Sequence, residues 1–314
     1  MNITNHHRRT KRWAAVAALM ALGLAACGND DTAEPSAGTA ADTTVAGTTD
    51  TAAVASTTEA LPYPTQIDAT LSEYHIEIPS EIPSGFVRLS ATNNGGFVHY
   101  LLLARIHDGM SYDEWMQAFE ENEFAAEGMV DFYGGPNGVN PGETVSVEMN
   151  LDPGVYVALC LIPGPDGKSH AAMGMMAPVT VTDEGEPVDL AALDIEATVS
   201  VTEGSFTVSP GFDGQGRVLV TNDGTETHEM LITEILEGGS FEEYEAALSA
   251  GSGPELSANY RVTQGVAVMS PGRSIIAEID LTEGDYVFVC LAPSMSDFLP
   301  HTMHGEIQLV HFPT

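Results

Sequence analysis

The sequence predicts an all-β protein: two tandem Greek-key β-sandwich domains, each with a short helical insertion, after a disordered N-terminal tether. Three observations predict this class. The sequence repeats at an offset of about 129 residues, which indicates two copies of one kind of domain. Its segments alternate apolar and polar residues, as half-buried strands do. Between residues 28 and 62, large apolar side chains are rare.

The N-terminus predicts export. Residues 1–26 combine a basic stretch with an apolar run from Trp13 to Ala26, which is typical of a secretory signal and too short for an ordinary membrane span. The run closes on "LAAC", which resembles a bacterial lipoprotein signal, with cleavage before Cys27 and lipid on its sulfur. The alternative is a plain signal peptide with a chance cysteine. The protein is therefore predicted to be exported and held by Cys27 on the outer face of the bacterial cell membrane.

Residues 27–62 are predicted to form the disordered tether. They are rich in Ala, Thr, Asp and Ser, and such a stretch cannot bury enough apolar surface to offset its ordering entropy. All 45 acidic residues follow Cys27, together with only six of the ten basic ones, which gives the exported chain a formal charge of −39. This charge argues against nucleic acid as a partner, because the sequence offers no basic patch to neutralise phosphates.

The repeat sets the domain organisation. "NNGGFVHYLLLARI" (93–106) corresponds to "NDGTETHEMLITEI" (222–235), and with one further residue of offset "DPGVYVALCL" (152–161) corresponds to "TEGDYVFVCL" (282–291). The correspondence spans most of both halves and predicts domains at 63–184 and 188–314, each of ordinary size. Their seam is predicted in the short polar segment "TDEGEPVD" (182–189).

Periodicity places the strands and helices. "TVSVEMNL" (144–151) and "SIIAEIDL" (274–281) alternate apolar and polar residues, which predicts half-buried strands. The following "GVYVALC" and "GDYVFVC" segments are apolar on both faces and predict central strands that end at a cysteine. Ser111 with Glu114, and Ser240 with Glu243, have the spacing of a helix capping box. One short helix is therefore predicted in each domain, with its apolar face packed against the sandwich.

Four residue types in the first domain point to a metal. His99 leads into a strand, Cys160 ends a central strand, and a loop then carries His170 and Met175. Two imidazoles, a thiolate and a thioether form a set selective for copper, because the soft sulfur ligands favour Cu(I) and the imidazoles accommodate Cu(II). The sequence therefore predicts one copper ion in this domain. The alternative is that these residues are buried remnants of a sandwich that lost its metal.

The same segments resemble the cupredoxins, the blue-copper family that includes plastocyanin and azurin. "NNGGFVH" is similar to the plastocyanin segment with the first histidine ligand, and "PGPDGKSHAAMGM" is similar to the ligand loop of copper nitrite reductases. The resemblance implies His99, Cys160 and His170 as equatorial ligands, Met175 as the axial ligand, and single-electron transfer as the function. It also implies Asn after the first histidine, where this chain has Tyr100 and Glu229, so a tie between the ligand loops is expected to be missing.

The second domain keeps His228, Cys290 and His301 in the same order, but Glu306 stands at the position of Met175. A carboxylate is a hard ligand and does not mimic a thioether. The nearby Met303 and His304 offer further ligands, or belong to a looser site. Whether this domain holds a second copper is left open by the sequence.

Enzymatic activity is not predicted. The trinuclear cluster of multicopper oxidases needs His-x-His pairs, which this chain lacks, and nitrite reductases place a histidine before the cysteine, where this chain has Leu159 and Val289. Three functions remain: an electron carrier with a redox protein as partner, a Cu(I) chaperone or store that exchanges copper with a donor or acceptor, and a metal-free surface module. A disulfide between Cys160 and Cys290 is not expected, because they end equivalent strands of separate domains.

Overall fold

The computed structural model describes residues 63–164, 167–251 and 258–313. The predicted signal peptide, Cys27 and the predicted tether lie outside the described residues. In the first half of the described chain, residues 63–184, ten strands occur: β1 (Thr65–Ser72), β2 (His75–Glu77), β3 (Glu81–Pro83), β4 (Gly85–Asn93), β5 (Leu102–Ile106), β6 (Val130–Gly134), β7 (Pro136–Asn137), β8 (Thr144–Leu151), β9 (Gly154–Leu159) and β10 (Met176–Thr182).

The second half, residues 188–313, has eight strands: β11 (Ala197–Thr202), β12 (Ser205–Val208), β13 (Gln215–Asn222), β14 (His228–Ile235), β15 (Tyr260–Met269), β16 (Ser274–Asp280), β17 (Gly284–Val289) and β18 (Ile307–Phe312). Three α-helices are described: α1 (Tyr112–Glu121), α2 (Glu123–Glu127) and α3 (Phe241–Ser249). Short 3-10 turns occur at Ala171–Met173, Leu190–Ala192 and His301–His304. No helix in these ranges is long and apolar enough to cross a membrane.

The strands form two large sheets. One has the order β12-β11-β13-β16-β8-β4-β1-β2, and the other the order β18-β17-β14-β15-β6-β5-β9-β10-β3, with β7 paired to β15. Apolar residues from both sheets meet in one main core, so the architecture is the predicted sandwich of β-sheets. The predicted strands 144–151 and 274–281 are β8 and β16. The central strands before each cysteine are β9 and β17, each with a partner on both sides.

The two halves share their sheets instead of standing apart. In the first sheet β8 pairs antiparallel with β16, and in the second β6 and β7 pair with β15. From these junctions outwards the strands follow one another in equivalent order on both sides, except that β3 has no counterpart, so a local two-fold axis relates the halves. Val147 pairs with Ala277, its own equivalent in the repeat, which places the axis beside that pair. The sequence indicates the duplication but not this continuity.

Charged side chains repeat the symmetry across the junction. Arg88 binds Glu278 at 2.5 Å, and the equivalent pair, Arg217 and Glu148, also lies at 2.5 Å. Arg88 contacts Glu148 as well, at 3.1 Å. An interface whose contacts occur in such reciprocal pairs has the form of a two-fold dimer interface, here within one chain.

The helices pack as expected. Ser111 and Glu114 form a complete capping box at α1, and the Ser240 side chain accepts a hydrogen bond from the Glu243 amide at α3. Trp115 and Phe119 bury one face of α1, and its counterpart on α3 is buried through Tyr244 and Leu248. Helix α2, absent from the sequence prediction, is attached by a 3.1 Å hydrogen bond from the Trp115 indole to the Ala126 carbonyl.

Candidate metal centres

The segment before His99 is held by a buried asparagine. Asn93, the last residue of β4, is fully buried. Its amide nitrogen donates to the carbonyls of Phe97 and Val139 at 2.7 and 2.8 Å, and its oxygen accepts from the Gly95 amide at 2.8 Å. Asn222 makes the same three bonds, to the Glu226 and Met269 carbonyls and from the Gly224 amide. The repeated Asn-x-Gly segment therefore fixes the loop that delivers each first histidine.

The cysteine and the second histidine are locked to the same loop. The Cys160 carbonyl accepts a hydrogen bond from the Ala171 amide at 2.7 Å, and the Cys160 amide donates to the Met175 carbonyl at 3.2 Å. The His170 amide donates to the Ile162 carbonyl at 2.9 Å, which closes the loop back onto the end of β9. These backbone hydrogen bonds therefore fix the Cα positions of Cys160 and His170 relative to each other.

The three predicted residues of the first half lie together, and we call them the first cluster: His99, Cys160 and His170. The Nδ1 atoms of His99 and His170 are 3.1 Å apart, and the Cys160 sulfur lies 4.0 and 3.6 Å from them. All three residues are at most 4% exposed. Donors bound to one ion at about 2.0 to 2.3 Å lie roughly 3 to 4 Å apart. The first cluster therefore fits a single small metal ion.

Met175 is fully buried and lies five residues after His170 in the sequence. Its amide donates to the His170 carbonyl at 2.9 Å, and its carbonyl accepts from Cys160. Glu306 has the same two bonds in the second half, from the Cys290 amide at 3.2 Å and to the His301 carbonyl at 3.1 Å. The backbone therefore places Met175 and Glu306 at equivalent positions, as the sequence alignment of the halves indicates.

The second half gathers four residues, which we call the second cluster: His228, Cys290, His301 and Glu306. The Cys290 sulfur lies 3.9 Å from Nδ1 of His228 and 3.4 Å from Nδ1 of His301. The carboxylate of Glu306 faces both rings, with Oε1 2.9 Å from His228 Nδ1 and Oε2 3.5 Å from His301 Nδ1. All four residues are at most 2% exposed.

Met303 and His304 lie outside the second cluster. The Met303 side chain is 43% exposed. His304 points its Nε2 atom at the surface carboxylate of Asp297, at 3.1 Å. Both residues sit on the short turn His301–His304, and only its first residue enters the cluster. The fourth member of the second cluster is therefore Glu306, and neither Met303 nor His304 belongs to it.

The tie between the ligand loops is present, contrary to the expectation from the sequence. The Tyr100 hydroxyl accepts a hydrogen bond from the Leu161 amide at 2.9 Å, and Glu229 Oε1 accepts from the Leu291 amide at 3.1 Å. Each links the residue after the first histidine to the residue after the cysteine. Tyrosine and glutamate offer the acceptor oxygen that asparagine was expected to supply, only on a longer side chain. Both residues lie inside the quoted repeat segments, directly after the first histidine, and this position was the sequence signal that could have predicted the tie.

The surroundings make the second cluster more acidic than the first. Glu226 Oε2 lies 3.0 Å from His301 Nε2, and Glu203 Oε1 lies 3.6 Å from His228 Nε2. In the first half, Glu73, the counterpart of Glu203, likewise binds two loop amides, but the residue at the position of Glu226 is Phe97. The sequence analysis did not single out these glutamates, although Glu226 lies inside the repeat segment 222–235, two residues before His228.

Burial and charge shift the two sets of groups differently. Burial, reinforced by the charge of His170, lowers the pKa of His99 to about 4, and burial also lowers the pKa of His170. Burial raises the pKa of the Cys160 thiol to about 12. At His228 burial opposes protonation, but the carboxylate of Glu306, 2.9 Å from Nδ1, outweighs it and raises the pKa. The two histidines of the first cluster are therefore neutral and available as ligands. In the second cluster, Glu306 favours a positive charge on His228.

Burial also raises the pKa of the Cys290 thiol, and the charge of Glu306 raises it further. Both cysteines are free and buried, and no disulfide joins them. A metal ion that binds either thiolate must displace its proton.

Each half of the sandwich carries two histidines and a cysteine with converging side chains, brought together from a strand, a strand end and the loop that follows it. This arrangement of two histidines and a cysteine is the one that the sequence predicted through its resemblance to the cupredoxins.

Comparisons with known proteins give matches among solved structures alone: no family model and no curated protein matches the chain. One similar structure is an auracyanin from the photosynthetic bacterium Roseiflexus castenholzii, with 18% identity, 38% of this chain and 99% of that chain covered, and a TM-score of 0.26. A second is auracyanin A, a blue copper protein of Chloroflexus aurantiacus, with 16% identity, 38% and 100% covered, and a TM-score of 0.28. A third is a copper-containing nitrite reductase from Thermus scotoductus, with 14% identity, 78% and 60% covered, and a TM-score of 0.22.

Acid should destabilise the metal-free chain through His99. The folded protein keeps His99 neutral down to pH about 4, whereas the unfolded chain protonates it near pH 6.5. Between these values the unfolded state binds more protons, so stability falls as pH falls through this window, by up to about 3 kcal/mol from this residue. Urea unfolding at pH 7 and 4.5 should show a loss about 2 to 3 kcal/mol larger for the metal-free wild type than for His99→Gln. Equal losses would contradict this assignment.

Proposed function

We propose that the chain binds one copper ion in its first half and uses it to carry single electrons as an exported lipoprotein. His99 Nδ1, Cys160 Sγ and His170 Nδ1 would hold the ion, with Met175 as axial ligand. The proposal is carried by one observation: these three donor atoms converge within 4.0 Å of one another, fully inside the protein. Two imidazoles and a soft thiolate are the donors that suit both oxidation states of copper.

The surroundings favour electron transfer over delivery of the metal. Asn93 donates hydrogen bonds to two backbone carbonyls and Tyr100 accepts one from the Leu161 amide, and these bonds fix the segments that carry His99 and Cys160. Such fixation keeps the donor geometry constant, and bound copper supplies a one-electron couple that benefits from a constant geometry. The donors are also buried, and this argues against the rapid exchange that a Cu(I) chaperone requires.

The set also suits a change of one charge in a buried place. A single thiolate with two neutral histidines gives a neutral site with Cu(I) and a single positive charge with Cu(II). The low pKa of His99 keeps its imidazole neutral, so no proton must leave it before copper binds. The thiol proton alone must be released, and that release is measurable.

Neither half has a histidine directly before its cysteine, the position that would link a second copper of the nitrite reductase type. The residue before Cys160 is Leu159, which is buried in β9, and Val289 occupies the equivalent place in β17. The proposal is therefore a carrier protein that exchanges electrons with a redox partner. Its attachment rests on "LAAC" and Cys27, and would be tested by labelling cells with a radioactive fatty acid and comparing wild type with Cys27→Ser.

The test of the copper site uses a soluble chain that begins after residue 60. It would be loaded with Cu(II), desalted, and examined by visible absorption and metal analysis. An intense band near about 600 nm, from thiolate-to-copper charge transfer, is expected together with retained copper. A colourless protein that retains copper would favour a Cu(I) chaperone. A colourless protein without copper would leave the metal-free surface module.

A further inference from the structure

We infer that the second cluster is a separate, closed site for a redox-inert divalent cation of the Zn²⁺ type. His228 Nδ1, Cys290 Sγ, His301 Nδ1 and one oxygen of Glu306 would bind it. This inference concerns only the second half, so it does not depend on the copper site proposed for the first.

The first reason is an uncompensated carboxylate. Glu306 is 0% exposed, and neither of its oxygens has a hydrogen-bond partner with acceptable geometry. The two ring nitrogens at 2.9 and 3.5 Å balance its charge only when a ring is protonated. Burying an ionised carboxylate without a partner is strongly unfavourable, so buried carboxylates are paired or bind metals. A cation between Glu306 and the rings removes this cost.

The second reason is geometry. Four donors around one ion, at bond lengths of about 2.0 to 2.3 Å, place nitrogen and oxygen about 3.3 Å apart and sulfur and nitrogen about 3.6 Å apart in a tetrahedron. The observed distances are 2.9 and 3.5 Å for nitrogen to oxygen, and 3.9 and 3.4 Å for sulfur to nitrogen. Each of these four distances therefore differs from the tetrahedral value by only a few tenths of an ångström, and all the donor atoms lie within 4.8 Å of one another.

The third reason is charge. Thiolate and carboxylate together carry two negative charges, so a divalent ion makes the second cluster neutral and Cu(I) leaves it negative. A negative site is disfavoured in a buried place, all the more beside Glu226 and Glu203. The first cluster, with one anionic ligand, is neutral with Cu(I) instead. Because Glu306 stands where the first half has Met175, burial favours a divalent ion in the second cluster and a monovalent ion in the first.

The fourth reason is the position of the donors in the chain. His228 begins β14, Cys290 follows β17, and His301 and Glu306 lie on the turn before β18. An ion held by all four would join three neighbouring segments of one sheet. Closed sites with four protein ligands are typical of structural zinc, whereas catalytic zinc keeps an open position. The expected role is therefore to stabilise the second half, not to carry electrons.

The test uses Co(II) as a spectroscopic probe in the soluble chain with Cys160→Ser, which removes the thiolate of the first half. One Co(II) per chain should bind with the charge-transfer and visible bands of a tetrahedral thiolate site, and one Zn²⁺ should displace it. Zn²⁺ should also raise the thermal unfolding temperature, because it binds only the folded state. Absence of a thiolate–Co(II) band would overturn the proposal.

Glu306→Gln separates a metal ligand from a structural residue. Gln keeps the shape but removes the charge, so the metal-free variant should unfold at a higher temperature than the metal-free wild type. Its Zn²⁺ affinity should fall at least about tenfold, since even the loss of an outer partner costs that much. Met175→Leu is the matched control at the equivalent position and should leave Zn²⁺ binding unchanged. A merely structural Glu306 would instead give a less stable metal-free variant with unaltered Zn²⁺ affinity.

Glu306→Met gives the second cluster the donor types of the first. It should lower the affinity for Zn²⁺ and yield a copper site that ascorbate reduces and air reoxidises. Reversible reduction of copper at the wild-type second cluster, measured with Cys160→Ser in place, would contradict the redox-inert assignment.

Discussion

Replacing Cys160 with Ser should abolish the visible band of the copper-loaded chain, while Cys290→Ser should leave that band intact. The band arises from the sulfur of the first cluster, and a serine hydroxyl at the same place has no equivalent charge transfer at about 600 nm. We expect loss of at least about nine-tenths of the absorbance in Cys160→Ser, since one sulfur supplies the whole band. Absorption spectra of both variants, loaded with equal copper, measure this directly.

The pair of variants controls for folding and for the duplication at once. Both cysteines are 0% exposed and end equivalent strands, so each substitution perturbs the core to a similar extent. Circular dichroism would check that both variants keep their β structure. If Cys290→Ser lost the band and Cys160→Ser kept it, copper would belong to the second cluster and the proposed function would move to the other half.

Asn93→Ala should lower the free energy of unfolding by about 2 to 4 kcal/mol. The substitution leaves the carbonyls of Phe97 and Val139 and the Gly95 amide without their partner at a fully buried position. It should also weaken copper binding, because His99 follows this loop and its backbone pairs with Val139 at 3.1 and 2.9 Å. Urea unfolding and copper titration of the same sample would measure both effects.

Thr92→Ala is the matched control, one residue earlier on β4. The Thr92 hydroxyl bonds only to the hydroxyl of Thr144 on an exposed part of the sheet, at 2.8 Å. Its loss should change stability by less than about 1 kcal/mol and leave copper binding unaltered. Equal effects from the two substitutions would show that the Asn93 side chain has no special place in the site.

Local features of this fold follow from the sequence with good accuracy. The alternation in "TVSVEMNL" marks β8 from Thr144 to Leu151, and the Ser-x-x-Glu spacing marks the start of α1. The His, Cys and His positions converge because they occur at strand ends that a sandwich brings together. In each case the pattern is short-range, or is repeated in the two halves, so chance agreement is small.

Other features depend on contacts that no local pattern records. The junction between β8 and β16 rests on two residue pairs, and nothing in either strand distinguishes a junction from an outer edge. The roles of Tyr100 and Glu229 were mistaken because the expected residue type was absent, although the needed acceptor oxygen was present. Glu226 lies two residues before His228, but its contact is with His301, 75 residues away along the chain, and no local pattern records that contact.

The shared sheets have a bearing on solubility. If either half stood alone, β8 or β16 would become an outermost strand with a row of unpaired amides and carbonyls, and such strands recruit other chains. In the intact chain each protects the other, and the short β2 and β12 are left at the rim of that sheet. A gene fragment encoding one half would therefore be prone to aggregation on expression, because it exposes an edge strand that the other half covers in the intact chain.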